Sequence, residues 1–217
     1  MTIIKNPQSE PEFLQPLLSF CHRRRYPAKA EIIRPGDPAD ALYYIIEGSV
    51  TIIIEDEEGR EIILTYLNKG EFIGEMGLYK PDALRSVLVR TRSECVLAEI
   101  SYNRLEQLFD TGLKQYARQI LYAFGNQMSE RLLHTSHKVG HLAFLDVTGR
   151  IAGTLLELCK QPDAMTHPDG MQIRITRQEI GRIVGCSREM AGRVLKSLEE
   201  QGLIDVKGKT IVVYGTR

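Results

Sequence analysis

The chain has 217 residues, 43% hydrophobic and 26% charged, enough for two modest domains with their own cores and typical of a soluble globular protein. No apolar run reaches the length of a membrane span, and the start, MTIIKNPQSEPEF, is polar and broken by proline; the expectation is a cytoplasmic protein with no membrane partner and no signal peptide. With 28 basic against 28 acidic residues the net charge is zero, which gives no global case for nucleic acid, yet from Met171 onward basic residues outnumber acidic ones, as in a protein that touches phosphates with one end.

In chain order, residues 1–20 read as a leader with one short helix, PEFLQPLLSF, interrupted by Pro16. His22-Arg23-Arg24-Arg25 reads as a solvated basic patch. From Ala30 to Ile100 the sequence turns β: short runs rich in Ile, Val, Leu and Tyr are punctuated at Pro35-Gly36-Asp37, Glu47-Gly48, Glu58-Gly59 and Asn68-Lys69-Gly70. That pattern predicts an antiparallel barrel or jelly roll.

Inside this β region, FIGEMGLYKPDALRSV (Phe72 to Val87) suits an anion. Gly74 lets the backbone approach a ligand closely, and Glu75, Met76 and their neighbours can start a short helix whose N–H groups face negative charge. Arg85 supplies a forked cation for a phosphate and Ser86 a hydroxyl. Glu75 would repel a phosphate, so it needs a donor such as a ribose hydroxyl. One phosphate on one Arg, with a carboxylate on the sugar, is the logic of a cyclic nucleotide; a surface ion pair between Glu75 and Arg85 is the plainer alternative.

Tyr102 to Leu113 reads as a variable link. A long helix follows, with Ala117, Ile120, Leu121, Phe124, Met128, Leu132 and Val139 at three- and four-residue steps, a stripe able to dock on its own β region or to form a two-chain seam. Gly140 is expected to loosen it. His134, His137 and His141 share a face, but no carboxylate or thiol nearby completes a metal site, so they read as a hydrated face and no metal is expected. Cys21, Cys95, Cys159 and Cys186 form no C-x-x-C pair and read as free thiols, not an iron–sulfur sensor.

Asp146 should cap a helix over Val147 to Lys160 with Ile151, Ala152, Leu155, Leu156 and Leu158 on its apolar face. Gln161 to Gly170 reads as an exposed loop. Ile175 to Gly202 reads as a helix-turn-helix. Thr176 caps a first helix with Glu179 as capping-box partner, Gly185 ends it, and Ser187 caps a second helix built on Met190, Ala191, Val194, Leu195 and Leu198. Arg188, Glu189, Arg193 and Lys196 occupy its polar face. Arg188 and Glu189 lie in its first turn, where Arg can grip guanine and Glu can accept from cytosine. Leu203 to Arg217 predicts a hairpin wing, with Lys207 or Lys209 on phosphate.

The segment RQEIGRIVGCSREMAGRVLK, the hinge FLDVTGR and the FIGEMGLY…RSV stretch resemble the cyclic-AMP receptor protein (catabolite activator protein) family of bacterial transcription regulators, from about Cys21 to Arg217. The resemblance implies an α+β fold: a cyclic-nucleotide-binding β-roll (jelly roll) over 1–113, a central dimerisation helix over 114–143 and a winged helix-turn-helix over 144–217. It implies cyclic AMP as effector, held by Gly74, Glu75, Met76, Arg85, Ser86, Arg131, Thr135 and Ser136, with the Thr–Ser pair reaching adenine across a homodimer seam. It implies DNA contacts by Thr176, Arg177, Gln178, Ser187, Arg188, Glu189, Arg193, Lys196 and Lys207 on TGTGA-like half-sites. It also implies RNA polymerase contacts by His22, Arg24, Arg104, Thr166 and His167. Three features depart from the family: Val87 stands where it usually has Ala, the loop Lys80 to Leu84 differs, and the tract between Tyr102 and Met128 is longer than in the best-known member. Relatives with altered cassettes read cyclic di-GMP, which weakens DNA binding, so that effector, or none, stays open. A nucleotide-metabolising enzyme is the remote alternative, since no His–Asp cluster for paired metals is present.

Overall fold

The computed structural model describes residues 10–80 and 83–216. The leader over residues 1–9, Pro81 and Asp82 of the divergent loop, and Arg217 lie outside the described residues. Internal contacts group the chain into two units, residues 1–50 with 67–132 and residues 51–66 with 133–217.

The first unit opens with helix α1 (Leu14–Ser19), which buries Leu14, Leu17 and Leu18. Pro16 does not interrupt it: proline stands in the first turn, where no N–H is owed to the helix. The basic run is itself a strand, β1 (His22–Tyr26), so the β region begins before Ala30. It pairs antiparallel with β8 (Cys95–Ser101), Arg24 opposite Leu97. Together with β3 (Ala41–Glu47) and β6 (Phe72–Ile73) they form a four-stranded sheet ordered β1-β8-β3-β6. A charged, exposed β1 suits the edge of that sheet, where charge discourages further strand pairing. A second sheet contains β2 (Glu31–Ile33), β7 (Leu88–Thr91), β4 (Ser49–Glu55) and β5 (Glu61–Asn68).

The expected link after Tyr102 is instead a helix, α2 (Tyr102–Asp110). The Ser101 hydroxyl caps it by accepting from the Arg104 N–H, and Tyr102, Leu105 and Leu108 are buried. Helix α3 (Ala117–Phe144) runs for 28 residues. Its first part sends Ile120 and Phe124 into a core shared with Phe13, Leu17, Phe72, Tyr102 and Leu105, where the Phe72 and Phe124 rings meet edge to face at 4.8 Å. Burying a side chain of this size contributes roughly 1.5–3 kcal/mol, so α1, α2 and α3 are tied to the sheet that carries the 72–87 segment.

In the second unit α3 continues through Gly140 to Phe144 without a break. Asp146 caps α4 (Val147–Leu158), its Oδ1 accepting from the Gly149 N–H at 2.7 Å. The buried stripe is Ile151, Thr154, Leu155 and Leu158; Leu156, expected inside, is 47% exposed because it falls on the opposite side of the helical repeat. The expected 161–170 loop contains a strand, β9 (Met165–His167), paired with β10 (Gly170–Arg174). The helix-turn-helix is α5 (Arg177–Val184) and α6 (Arg188–Glu200), and the wing strands β11 (Ile204–Lys207) and β12 (Thr210–Tyr214) come after it. The four strands order as β11-β12-β10-β9.

Candidate functional site

In the first unit, β6 leads into Gly74, which takes φ 89° and precedes a 3-10 helix, Glu75–Tyr79. Only glycine suits that place, because a Cβ would stand 2.6 Å from Arg85 Nη1 and 2.9 Å from the Ala41 carbonyl oxygen. Glu75 is 1% exposed. Its Oε1 accepts from Arg131 Nη1 at 2.6 Å, whereas its Oε2, also buried, has no hydrogen-bond partner among the described residues. Arg131 Nη2 also donates to the Phe72 carbonyl at 2.6 Å and lies 3.8 Å from Glu71. Burial pushes the Glu71 carboxyl above its usual range, against backbone bonding and the Arg131 charge.

Arg85 does not pair with Glu75 in the described contacts. Its Nη2 donates to the Ala41 carbonyl at 2.6 Å and its Nη1 to the Tyr102 hydroxyl at 3.1 Å. Met76 and Ser86 are exposed and Val87 is partly buried. A buried carboxylate with one acceptor oxygen free of protein partners, a glycine turn and a guanidinium thus share one small region. That set offers an acceptor to a hydroxyl and a cation to an anion.

Two polar residues that sequence reasoning passes over serve this region. Gln127, one turn before Arg131 on α3, receives the Phe72 N–H at 2.8 Å and donates back to the Phe72 carbonyl at 2.9 Å, completing an edge-strand residue's pairing. Tyr102, assigned to a link, is 8% exposed beneath Arg85 and Gly74. A readable sign for Tyr102 is Ser101, a helix cap directly before it.

Thr135 and Ser136 are exposed on α3, and Thr135 sits one turn beyond Arg131 on the same helix face. In the second unit Lys138 donates from Nζ to the Ile63 carbonyl at 2.5 Å and reaches that of Leu64 at 3.4 Å. Burial lowers its pKa, partly offset by Glu157. The same strand, β5, also bonds to α5 at two points. The Tyr66 hydroxyl donates to Glu179 at 2.6 Å, and Arg182 pairs with Glu61 at 2.9 Å. The capping box is therefore half made: the Thr176 hydroxyl accepts from the Glu179 N–H at 3.1 Å, but the Glu179 carboxylate is bonded to Tyr66.

Gly185 ends α5 with φ 72°, and Ser187 caps α6 by accepting from the Met190 N–H at 3.1 Å. Ala191, Val194, Leu195 and Leu198 are buried; Met190 is only partly so. That packing leaves Arg188, Glu189, Arg193 and Lys196 exposed on α6, with Arg177 and Gln178 exposed at the start of α5. Thr176 and Ser187 have their hydroxyls on the helix caps. Lys207 pairs with Asp205 at 2.9 Å, and that bond holds its pKa above the usual lysine value.

The remaining candidates are divided between the two units. His22 and Arg24 are exposed on β1, Arg104 is exposed on α2, and Thr166 and His167 lie on β9. His134 stands 3.8 Å from Glu157, with both side chains about half exposed at 49% and 48%.

A buried carboxylate, a glycine turn and a guanidinium gathered in a β unit, with a winged helix-turn-helix and its exposed charged helix face later in the chain, point to the class of DNA-binding transcription regulators. The comparisons with known proteins agree. Residues 23–111 match the cyclic nucleotide-binding domain and residues 149–214 the Crp-like helix-turn-helix domain. The cAMP-activated global transcriptional regulator Vfr of Pseudomonas aeruginosa is 63% identical over 94% of each chain. The CRP-like protein Clp of Xanthomonas campestris pv. campestris is 57% identical over 94% of this chain and 89% of its own. A solved structure described as the c-di-GMP responsive global regulator CLP of Xanthomonas campestris superposes with a TM-score of 0.89 at 57% identity, covering 94% of this chain and 98% of that one. A CRP/FNR-family regulator of Thermus thermophilus, 24% identical, shares the fold at a TM-score of 0.75, covering 88% of this chain and 93% of its own. The chain belongs to the CRP family: it is a DNA-binding transcription regulator with a cyclic nucleotide-binding domain, and not an enzyme.

Proposed function

We propose that this regulator works as a homodimer switched by cyclic AMP. The observation that carries the reading is the free Oε2 of buried Glu75 beside Gly74 and Arg85, an acceptor suited to a ribose 2′-hydroxyl with a cation close by for the phosphate. The 63% identity to a cAMP-activated regulator supports the choice of effector. Gly74, Glu75, Met76, Arg85 and Ser86 hold the ribose phosphate, Arg131 fixes Glu75, and the hydroxyls of Thr135 and Ser136 meet adenine from the two chains of the dimer. Support for the dimer comes from α3, whose Leu132, Val139 and Phe144 are 68%, 60% and 87% exposed, an apolar run that a second copy would cover.

DNA is read by Arg188, Glu189 and Arg193 on TGTGA-like half-sites, with Thr176, Arg177, Gln178, Ser187, Lys196 and Lys207 on the backbone. Two-fold reading needs the two α6 helices about 34 Å apart, and the effector acts by favouring the dimer state with that spacing. His22, Arg24, Arg104, Thr166 and His167 are the proposed RNA polymerase contacts. The test is calorimetry with cyclic AMP and cyclic di-GMP on nucleotide-free protein, then gel shift on a TGTGA…TCACA palindrome with and without each. Tight cyclic AMP binding that strengthens the shift supports the reading; no binding, or binding without a change in shift, rejects it.

A second reading has its own observation. The regulator at 57% identity and TM-score 0.89 is described as c-di-GMP responsive. Cyclic di-GMP binding that weakens the shift, with no response to cyclic AMP, is the outcome that selects it.

A further inference from the structure

The cassette turn and its arginine meet on one phenol. The Tyr102 hydroxyl donates to the Gly74 carbonyl and accepts from Arg85 Nη1 at 3.1 Å. A phenol has a single proton, so giving it to Gly74 turns the oxygen lone pairs toward Arg85. The guanidinium carbon also lies 5.8 Å from the centre of the Tyr102 ring, within cation–π range. The 3-10 helix closes over the same group: a Cβ at Gly77 would collide with the Tyr102 hydroxyl and stand 3.0 Å from its ring edge. Tyr102 is anchored from below, 8% exposed in the core cluster with Leu105 and Phe124. Its backbone N–H donates to the Asp40 carbonyl at 2.9 Å.

We infer that Tyr102 is a positioning residue for the phosphate end of the effector, an inference that rests on the cyclic-nucleotide reading of this site. It does not touch the ligand. It fixes the Gly74 turn and the Arg85 guanidinium in one arrangement, so that the cation is in place before the anion arrives. Preorganisation of this kind appears in affinity, because less ordering is left for binding to accomplish. Without the hydroxyl, Arg85 Nη1 loses its acceptor, and the Gly74 carbonyl loses one of two donors and keeps the Gly77 N–H at 3.1 Å. The guanidinium then keeps the Ala41 bond alone among those described and can turn about it.

The test is Tyr102→Phe in the full chain, which keeps the ring and its packing. The expected result is a cyclic AMP affinity about tenfold lower, the size of one lost hydrogen bond to a charged group. Discrimination between the Rp and Sp phosphorothioates of cyclic AMP should shrink as well. Those two ligands differ only in which exocyclic phosphate oxygen is sulfur, so their ratio reads the placement of Arg85; a merely structural loss lowers both alike and leaves the ratio unchanged. A tenfold loss with an unchanged ratio, or no loss at all, overturns the inference while the cyclic-nucleotide reading stands. A parent protein that binds no cyclic nucleotide removes both. If Tyr102→Phe fails to give a folded helical signal, 3-fluorotyrosine at 102 keeps the ring and alters the phenol as donor and acceptor; an altered Rp/Sp ratio supports the inference and an unaltered one overturns it.

Discussion

Replacing Arg131 with methionine strips a charge from a buried partner, and the structure sets the scale of the damage. Arg131 Nη1 lies 2.6 Å from Glu75 Oε1, with the Arg131 side chain 26% exposed and that of Glu75 2%. Once the guanidinium is gone, neither Glu75 oxygen has a partner among the described residues, because Oε2 had none there to begin with. The Phe72 carbonyl loses one donor but keeps Gln127 at 2.9 Å. Breaking a buried pair from one side costs about 3–5 kcal/mol. Partial water access through the quarter-exposed arginine brings the expectation for Arg131→Met to about 3 kcal/mol. Methionine retains much of the aliphatic packing, so the loss reports mainly the stranded carboxylate. In urea, with a slope of about 2 kcal/mol/M for a protein of this size, the midpoint should fall by roughly 1.5 M. Adding Glu75→Gln removes the stranded charge and should restore about half of the loss, a double-mutant coupling of roughly 1–2 kcal/mol. A single-variant loss below about 1 kcal/mol, or strictly additive effects in the cycle, would refute the claim that this pair is a buried, mutually dependent unit.

Three further outcomes are expected. Burial pushes the Cys21 thiol up to about 11, against a nearby Arg23 charge. Folded protein therefore holds that proton through a pH range where the unfolded chain has lost it; the contribution is complete below about pH 9 and disappears as pH rises through 11. At about 1.36 kcal/mol per unit it amounts to at most roughly 2 kcal/mol after allowance for partial exposure. Urea titrations of parent and Cys21→Ala between about pH 8 and 11 should converge as pH rises, and parallel curves would contradict this. Burial likewise raises the Glu71 carboxyl above its ordinary value of 4.5, so its contribution is present at low pH and lost as pH rises through the folded pKa; Glu71→Gln should flatten stability against pH on that acid limb. For DNA reading, Arg188→Ala should cost about 1–3 kcal/mol and relax one base position, whereas Lys207→Ala should weaken matched and mismatched operators alike and lower the salt slope by about one. Equal losses on both operators for Arg188→Ala would remove it from base reading.

Features that a few neighbouring residues decide are legible in the sequence. Thr176, Asp146 and Ser187 cap their helices as read, because a cap needs only a short oxygen-bearing side chain two or three residues before an N–H. Gly185 ends α5 for an equally local reason. Ser101 carries the same signal but is easily missed, since the stretch Tyr102 to Asp110 lacks a long apolar run; α2 shows its stripe in only three residues, Tyr102, Leu105 and Leu108. Strand β9 is hidden for a different reason. Met165-Thr166-His167 has no alternation of its own and owes its form to pairing with β10, whose register runs from Gly170 opposite His167.

The cassette divides along the same line. Gly74, Glu75 and Arg85 stand out by residue type, and type is sufficient to say that a carboxylate and a guanidinium near a glycine turn have polar work to do. Which cation serves which group is not a property of type. Arg85, near Glu75 in sequence, bonds to Tyr102 and Ala41, while Glu75 takes its partner from 56 residues away on α3. The reason is steric as well as electrostatic. Gly74 turns the chain so that the space a side chain would fill is occupied by Arg85 Nη1, and Glu75 is carried into a region where only α3 offers a cation among the described contacts. A pairing rule based on sequence distance joins Glu75 to Arg85 and cancels the two charges. Among the described residues the folded chain pairs Glu75 through one oxygen only, and the second oxygen, with Arg85 close by, is what the proposed cyclic-nucleotide reading rests on.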